Sequence, residues 1–489
     1  MIFRFARPVA HGVIGLTSAL AACNGGDQPD VQNDGFSFDL GCTSCRDVRT
    51  DRPASETMDD AGGDDVVSPD ADDVQSVDAG DTGESDASDA GDDTASTDAT
   101  DATSADIASD APLPDGRVDV TMVAGPCTAG AQVELFTEPV MMLGRPIQLA
   151  VDSSSMVVAG SHMQMAGSDN AFFYDVPPTD PLTSFWDISG EIGSRVEYGS
   201  FTPDGLGGYA MVYSSNSMGG FDVYARGISA SGPPSGTMAR VSNDADASIG
   251  AQIVRTATGF LVVWRNEDNI AGTKSLWMAT LSNPDLTLGT PTMLTPVGTL
   301  AGEFRLVSNM TTANLAYVSR TLGPGSDLSV QRFNADNSLN GTAVALATNA
   351  TVMGPVAAAQ RGNAIAVLWV EPRFEGALHG RTVDSASGVA SPVVDLPEAG
   401  DLGALSMATD RPNGYVAAFR SQGATPGAAM MRLDDLLHSR EGVSRVADAQ
   451  PLGEVVTVAS VSSTSYAVAW TDPGTGGGTR GAVQWVTCP

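Results

Sequence analysis

The sequence contains little positive charge. Of its 489 residues, 25 are lysine or arginine and 59 are aspartate or glutamate, which gives a net charge of −34. Proteins that bind nucleic acids need a basic surface to neutralise the phosphates. No basic stripe occurs in this chain, so we expect no nucleic-acid partner.

The sequence also lacks the short motifs that mark common catalytic sites. It contains only four histidines, and they form no His-Glu-x-x-His pattern. A Gly-x-Ser-x-Gly elbow and a Walker loop are likewise missing. We therefore expect no metal and no cofactor, and we assign no catalytic residue.

Apolar spacing of three and four residues, which indicates helices, is almost absent. A different pattern recurs instead, and its clearest copy is Gly259–Asn266: a turn glycine, an apolar run, an aromatic residue and an arginine. The equivalent aromatic residues stand at positions 213, 264, 317, 369, 419 and 470, so they are 51, 53, 52, 50 and 51 residues apart. A period near fifty with short β-type runs is typical of four-stranded propeller blades.

The repeats predict an all-β fold, a seven-bladed β-propeller over residues 127–489. The weakest copy, Met156–Gly160, decides the count, and six blades is the alternative if this copy is not a blade. The last copy has only three strands, and an isolated strand, Gln132–Val140, precedes the first copy. We expect that strand to complete the last blade and close the ring. A disulfide between Cys127 and Cys488 would then pin the two ends.

The first 22 residues have the features of an export signal. Arg4 and Arg7 precede a short apolar stretch, Val13–Leu20, which is too short to span a bilayer. The sequence Leu20-Ala21-Ala22-Cys23 resembles the lipobox of bacterial lipoproteins. The resemblance implies cleavage before Cys23, acylation of that cysteine and a lipid anchor, in the outer membrane or at the cell surface. An ordinary secretory signal is the alternative.

Two further segments precede the propeller. Residues 23–50 form a short leader in which Cys42 and Cys45 predict a local disulfide, with metal or redox chemistry as the alternative. Residues 51–120 contain 22 acidic and 2 basic residues. Such a composition buries too little apolar surface to offset chain entropy, so we expect a disordered acidic tether.

The loops between the second and third strands of the blades are the expected functional surface, because they differ in sequence while the strands repeat. The candidate ligand-face residues are Arg265, Glu267, Asp268, Glu371, Arg373, Arg420 and Asp472. Our first hypothesis is a surface-displayed binding module for an envelope glycan or protein. The alternatives are a propeller-fold glycosidase or lyase, which requires two converging carboxylates, and a structural subunit of an envelope assembly.

Four arginines close the third strands of their blades. We interpret them as solvated charges at strand ends, and a functional ring of arginines is the alternative. They are Arg226, Arg332, Arg381 and Arg432.

Overall fold

The computed structural model describes residues 127–489, except for 139–146, 152–156, 166–167, 179–183, 190–194, 217–219, 244, 269–271, 296–299, 321–324, 352–353, 372–376, 397–401, 411–412, 422–426, 448–455 and 474–477. The predicted signal, Cys23, Cys42, Cys45 and the acidic tether lie outside these residues. In the described part, the secondary structure consists of 28 β-strands. That part contains no helix able to span a membrane.

The strands form six sheets, five of four strands and one of eight. A single parallel bridge between Lys274 and Leu300 joins two four-stranded groups in the larger sheet. We call the seven four-stranded groups blades 1 to 7. An initial strand, β1 (Thr128–Glu138), precedes blade 1. Blades 1 to 3 consist of β2 (Ile147–Val151), β3 (Val157–Met165), β4 (Ser168–Val176) and β5 (Ser184–Asp187); β6 (Val196–Pro203), β7 (Tyr209–Ser215), β8 (Asp222–Ile228) and β9 (Pro234–Arg240); and β10 (Ala247–Thr256), β11 (Gly259–Asp268), β12 (Thr273–Leu281) and β13 (Thr292–Met293).

Blades 4 to 6 consist of β14 (Leu300–Ser308), β15 (Ala313–Arg320), β16 (Gly325–Arg332) and β17 (Val344–Thr351); β18 (Val356–Arg361), β19 (Ala364–Glu371), β20 (Ala377–Asp384) and β21 (Val394–Leu396); and β22 (Leu402–Thr409), β23 (Tyr415–Ser421), β24 (Gly427–Leu433) and β25 (Ser439–Ala447). Blade 7 consists of β26 (Val456–Ser460), β27 (Ser465–Pro473) and β28 (Thr479–Thr487), with β1 as its fourth strand.

The first strand of the chain closes the ring. β1 pairs antiparallel with β28, from Thr128 opposite Thr487 to Glu138 opposite Thr479. The first strands of blades 7 and 1, β26 and β2, are also in contact. The predicted closing strand is therefore confirmed, although it begins at Thr128 rather than Gln132.

The predicted disulfide joins Cys127 to Cys488 beside this closing pair, with a Cα–Cα distance of 4.1 Å. The weak copy Met156–Gly160 corresponds to β3, the second strand of blade 1. The count of seven blades is confirmed, and the six-bladed alternative is wrong.

The hydrophobic core is divided among the seven interfaces between neighbouring blades. Each of seven clusters of buried side chains draws its members from two adjacent blades, including blades 7 and 1. The recurring aromatic residues belong to these clusters because the second strands are covered on both faces. Tyr213, Trp264, Phe419 and Trp470 are fully buried and Trp369 is nearly so, whereas Tyr317 is half-buried.

A glycine recurs at an irregularity in the first strands. The pairing register shifts at this position in four blades. At Gly199, a Cβ atom would lie 2.3 Å from the carbonyl oxygen of Ala251 in the next blade. The absence of a side chain therefore allows the inner strands of blades 2 and 3 to approach closely. The four glycines are Gly199, Gly250, Gly302 and Gly403.

The turn between the third and fourth strands holds each blade against the preceding one. In blade 4, Asn337 has a φ of 66° and donates hydrogen bonds to Thr256 Oγ1 at 3.2 Å and Thr258 Oγ1 at 3.1 Å in blade 3. In blade 5, the turn places Gly388, whose φ is 76°, against the guanidinium group of Arg332 in blade 4. The fourth strands differ in length, and that of blade 3 is the shortest, Thr292–Met293.

Candidate functional site

One end of the ring, which we call the loop face, carries the connections from the second to the third strand of each blade. The opposite end, the turn face, carries the connections between first and second and between third and fourth strands. On the loop face lie the ends of the second strands: Met165, Ser215, Asp268, Glu371, Ser421, Pro473 and Arg320.

The described candidate residues all lie at or near these strand ends. They belong to blade 3 (Arg265, Glu267, Asp268), blade 5 (Glu371), blade 6 (Arg420) and blade 7 (Asp472), and Arg373 lies outside the described residues. The four candidate carboxylates are thus spread over blades 3, 5 and 7. The structure brings Arg265 and Glu267 into direct contact.

The contact in blade 3 is part of a three-residue ion cluster. Arg265 Nε and Lys274 Nζ both donate to the same oxygen, Glu267 Oε1, at 2.6 and 3.0 Å. Lys274 stands at the start of β12, directly opposite Glu267 in the sheet. Burial alone would raise the pKa of Glu267, but the charge of Arg265 and the hydrogen bond from Lys274 outweigh it and lower the pKa. Glu267 is therefore held ionised.

A second carboxyl group lies beside this cluster on blade 2. Burial raises the pKa of Glu197, and the nearby charges of Arg195 and Arg265 oppose the shift. The negative charge of Glu267 adds to the increase. Glu197 on blade 2 and Glu267 on blade 3 therefore have pKa values displaced in opposite directions.

Both carboxylate oxygens of Asp472 on blade 7 accept hydrogen bonds from residues of the same sheet. Arg480 Nε donates to Asp472 Oδ1 at 2.9 Å and Arg480 Nη2 donates to Oδ2 at 2.6 Å. Trp470 Nε1 donates to the same Oδ2 at 3.0 Å. The hydrogen bond to Asp472 raises the pKa of Arg480. The Asp472 side chain of this bidentate ion pair is buried, so the pair stabilises the contact between β27 and β28.

The interpretation of the four arginines as solvated charges is wrong. Arg332 Nη1 donates to the carbonyl oxygen of Ala386 in the following blade at 3.0 Å. Arg381 Nη1 donates to the carbonyl oxygen of Leu346 in the preceding blade at 2.8 Å. Arg226 likewise reaches the carbonyl oxygen of Ile188 in blade 1. These guanidinium groups bind carbonyl oxygens of neighbouring blades because the strand ends lie close to the adjoining sheets.

The fourth arginine, Arg432, belongs to a buried polar cluster between blades 6 and 7. Its Nε lies 3.3 Å from Asp410 Oδ2, and its Nη1 lies 3.0 Å from Glu441 Oε1. Tyr466 Oη donates to Asp410 Oδ1 at 2.8 Å. The side chain of Asp410 is completely buried. Charged groups at this depth are stable only as partners of one another.

No metal site is evident in the part of the chain that the structure describes, which contains no group of three or more potential metal ligands among its His, Cys, Asp and Glu residues. The Asn- and Asp-rich stretch after β16 forms a turn instead. There Asp336 Oδ1 accepts hydrogen bonds from the backbone N–H of Ser338 at 3.0 Å and from its hydroxyl at 2.6 Å.

Sequence reasoning missed Arg195, Glu197 and Lys274. One signal was available for the last of these: Lys274 is the only lysine in the chain, and the other 24 basic residues are arginines. No such signal exists for Glu197, because it interacts with Glu267, which lies 70 positions later in the chain.

The topology and the seven interface clusters define the described domain as a seven-bladed β-propeller. The sequence matches no protein-family model and no curated protein. The fold is similar to that of the BP39L lectin from Burkholderia pseudomallei, with 13% identity over 75% of this chain and 96% of that chain and a TM-score of 0.46.

Two further solved structures are similar at the level of the fold. The Dos1 propeller matches with 8% identity over 74% of this chain and 95% of that chain, at a TM-score of 0.42. The K499G mutant of the NanB sialidase from Streptococcus pneumoniae matches with 9% identity over 72% and 71%, at a TM-score of 0.39. These similarities concern the fold alone.

Proposed function

We propose that the protein is an exported, lipid-anchored binding module whose propeller recognises an envelope glycan or protein through the loop face. The observation that carries the proposal is the pairing of the loop-face carboxylates. Glu267 is neutralised by two cations and Asp472 by a bidentate arginine. Carboxylates held in this way are suited to fix the shape and charge of a recognition surface rather than to exchange protons.

The binding test uses the full chain, extracted in detergent and kept oxidised, with envelope polysaccharide and membrane protein from the source cells as separate ligands. We expect retention by one of them. Changing Arg265, Glu371 and Arg373 together to alanine should abolish it. A matched triple change on the turn face, of Arg255, Arg361 and Asp435 to alanine, removes the same charges and should leave retention intact. Equal retention by both triple variants would contradict a loop-face site.

The anchor is tested separately. The lipobox resemblance predicts that Cys23 carries the lipid, so the Cys23→Ser variant should move from the membrane fraction to the aqueous fraction. The acidic segment 51–120 would act as a hydrated tether between the anchor and the propeller. A Cys23→Ser variant that stays in the membrane fraction would refute the lipid anchor.

The glycosidase alternative is supported by one specific observation, the opposite pKa displacements of Glu197 and Glu267. Acid–base hydrolysis of a glycosidic bond uses two carboxyl groups, one with a raised pKa that acts as the acid and one that stays ionised. If the protein shortens the polysaccharide that it binds, Glu197→Gln should stop the shortening while binding persists. Binding without shortening by the wild-type protein would exclude this alternative for the polymer tested.

A further inference from the structure

Polar side chains without partners collect at one of the seven interfaces between blades. Among the described residues, six side chains contain a buried polar atom and form no hydrogen bond through any of their polar atoms. Three of them lie between blades 2 and 3, and the other three are divided among three different interfaces. Buried polar groups are nearly always hydrogen-bonded, so this concentration requires a cause. The first three are Ser214, Ser248 and Trp264, and the others are Tyr224, Trp369 and Thr457.

Strand alternation turns the two serines toward the same interface from opposite sides. In blade 2, Ser214 is paired with Val223, which packs against blade 3, and paired residues share a face of the sheet. In blade 3, Trp264 packs against blade 2. Asn266, two residues further along the strand, has the same orientation, and Ser248 is its partner in the first strand. Both hydroxyl groups and the indole therefore belong to the two surfaces that meet between blades 2 and 3.

A backbone contact between the blades places these serines at the same height, near the loop face. The N–H of Ser248 donates to the carbonyl oxygen of Phe221 at 2.7 Å. Phe221 precedes by two residues the position opposite Ser214. Glu197, which is half-buried, pairs with Ser214 on its other side and continues the same row onto the first strand of blade 2. The row thus contains two hydroxyl groups from different blades and one carboxyl group.

The burial and the chemistry of this row select the ligand that it can hold. Ser214, Ser248 and Trp264 are each 0% exposed, which excludes a saccharide or any ligand of that size. A metal ion needs several charged or imidazole ligands, and the described residues contain no such group. Water is small and both donates and accepts hydrogen bonds. Buried water typically bridges two to four polar groups that would otherwise be unpaired.

We propose that a water molecule is bound inside the interface between blades 2 and 3, where it bridges the hydroxyl of Ser214 to that of Ser248. The carboxyl group of Glu197 bounds the site toward the loop face, and the indole N–H of Trp264 is a further donor on the surface of blade 3. The water connects two neighbouring blades, so the stability of their interface depends on both serines. This site is independent of the binding function proposed above.

Alanine substitutions in the full chain distinguish a hydrated interface from a dry one by the sign of their effect. In a dry interface, an unpaired buried hydroxyl group is destabilising, so Ser214→Ala or Ser248→Ala would raise the urea midpoint. If the hydroxyl groups bind water, each substitution removes a hydrogen bond and lowers the midpoint. We expect both variants to unfold at lower urea concentration than the wild-type protein. A raised midpoint for either variant would overturn the proposal.

The double variant tests whether the same water binds both serines. Ser214→Ala should lower the urea midpoint less in a Ser248→Ala background than in the wild-type protein, because the water has already lost one of its partners. The control background is Ser460→Ala on blade 7, in which Ser214→Ala should have its full effect. Equal effects of Ser214→Ala in both backgrounds would refute a shared water.

A crystal structure of the protein tests the position of the water directly. We expect a peak of electron density about 3 Å from the hydroxyl oxygens of both Ser214 and Ser248. The same peak should be missing from crystals of the Ser214→Ala/Ser248→Ala variant. Well-defined density for both serines with no peak between them in the wild-type protein would overturn the proposal.

Discussion

The disulfide that closes the ring should make a large and measurable contribution to stability. Cys127 and Cys488 are 361 residues apart in sequence. The loop-entropy relation gives about 6 kcal/mol for a cross-link over that distance, and this is an upper bound because unfolded chains are more compact than the relation assumes. Native disulfides typically contribute about 2–5 kcal/mol. We expect the Cys127→Ala/Cys488→Ala variant to lose about 3–5 kcal/mol of the free energy of unfolding.

The loss should be localised as well as large. Without the disulfide, the closing strand is held mainly by the antiparallel pairing of β1 with β28 and by the packing of Val133, Leu135 and Phe136. β1 should therefore open before the rest of the ring, as the weakest cooperative unit.

Urea denaturation followed by tryptophan fluorescence measures the first effect, and amide hydrogen exchange of β1 against β22 measures the second. The control is Cys42→Ala/Cys45→Ala, which removes the other predicted disulfide and should leave the unfolding midpoint of the propeller unchanged. A loss below about 1 kcal/mol, or β1 amides that exchange no faster than those of β22, would refute the reasoning.

Three further predictions concern single residues. Asp410→Ala should cost about 3–5 kcal/mol, because it removes the buried carboxylate that accepts from Arg432 Nε and from the hydroxyl of Tyr466, and urea midpoints will show it. Gly199→Ala should lower the free energy of unfolding by about 1–3 kcal/mol, since the added methyl group meets two backbone oxygens at 2.3 and 2.7 Å. Burial raises the pKa of Tyr415 from 10.0 to about 12. The stabilisation tied to its neutral form is complete below pH 10 and is lost as the pH rises toward 12, by about 2 kcal/mol.

Each of these predictions has a matched comparison. Asp435→Ala removes an exposed partner of Arg361 and should cost less than about 1 kcal/mol. Gly220→Ala adds a methyl group that meets no atom within 4 Å, so it should be nearly neutral. Tyr415→Phe should flatten the alkaline part of the stability curve. Losses in the first two comparisons equal to those of Asp410→Ala and Gly199→Ala, or an unchanged alkaline slope in the third, would contradict the corresponding argument.

The blade architecture could be predicted because its cause is local. A strand that is buried on both faces must be apolar along its whole length, and this requirement repeats once per blade. The aromatic residue that recurs in the second strands fills an interface between blades, as Trp264 and Trp470 do. The closing strand followed from the same logic, since a last blade with three strands leaves an unpaired edge that β1 covers.

The sequence also contains a second periodic signal, formed by glycines. Gly199, Gly250, Gly302 and Gly403 stand at the register shifts of their first strands, and the first three are 51 and 52 residues apart. Their spacing matches that of the aromatic residues. The physical requirement for them is close approach to a neighbouring blade, which becomes apparent only when the blades are placed side by side.

The candidate site was less predictable because its residues act across a blade boundary. The sequence singled out Arg265 and Glu267 from their place in a loop. It gave no reason to connect them with Glu197, which lies on the first strand of another blade and contributes through burial and charge. The four arginines were misjudged for the same reason: a charge at a strand end is solvated only if the adjoining sheet leaves room for water.

The contacts between first strands show why such connections carry no sequence signature. Gln148 Oε1 accepts a hydrogen bond from the backbone N–H of Phe201 at 2.8 Å. At the corresponding places, Ser200 Oγ accepts from the backbone N–H of Ile253 at 2.7 Å and Gln252 Oε1 from that of Leu306 at 2.8 Å. One partner of each bond is a peptide group, which every residue except proline provides. The other partner need only be a side-chain acceptor of suitable length, so glutamine and serine serve alike. The ring is therefore held by a repeated interaction whose residues do not repeat, and this interaction can be found from the structure but not from the sequence period.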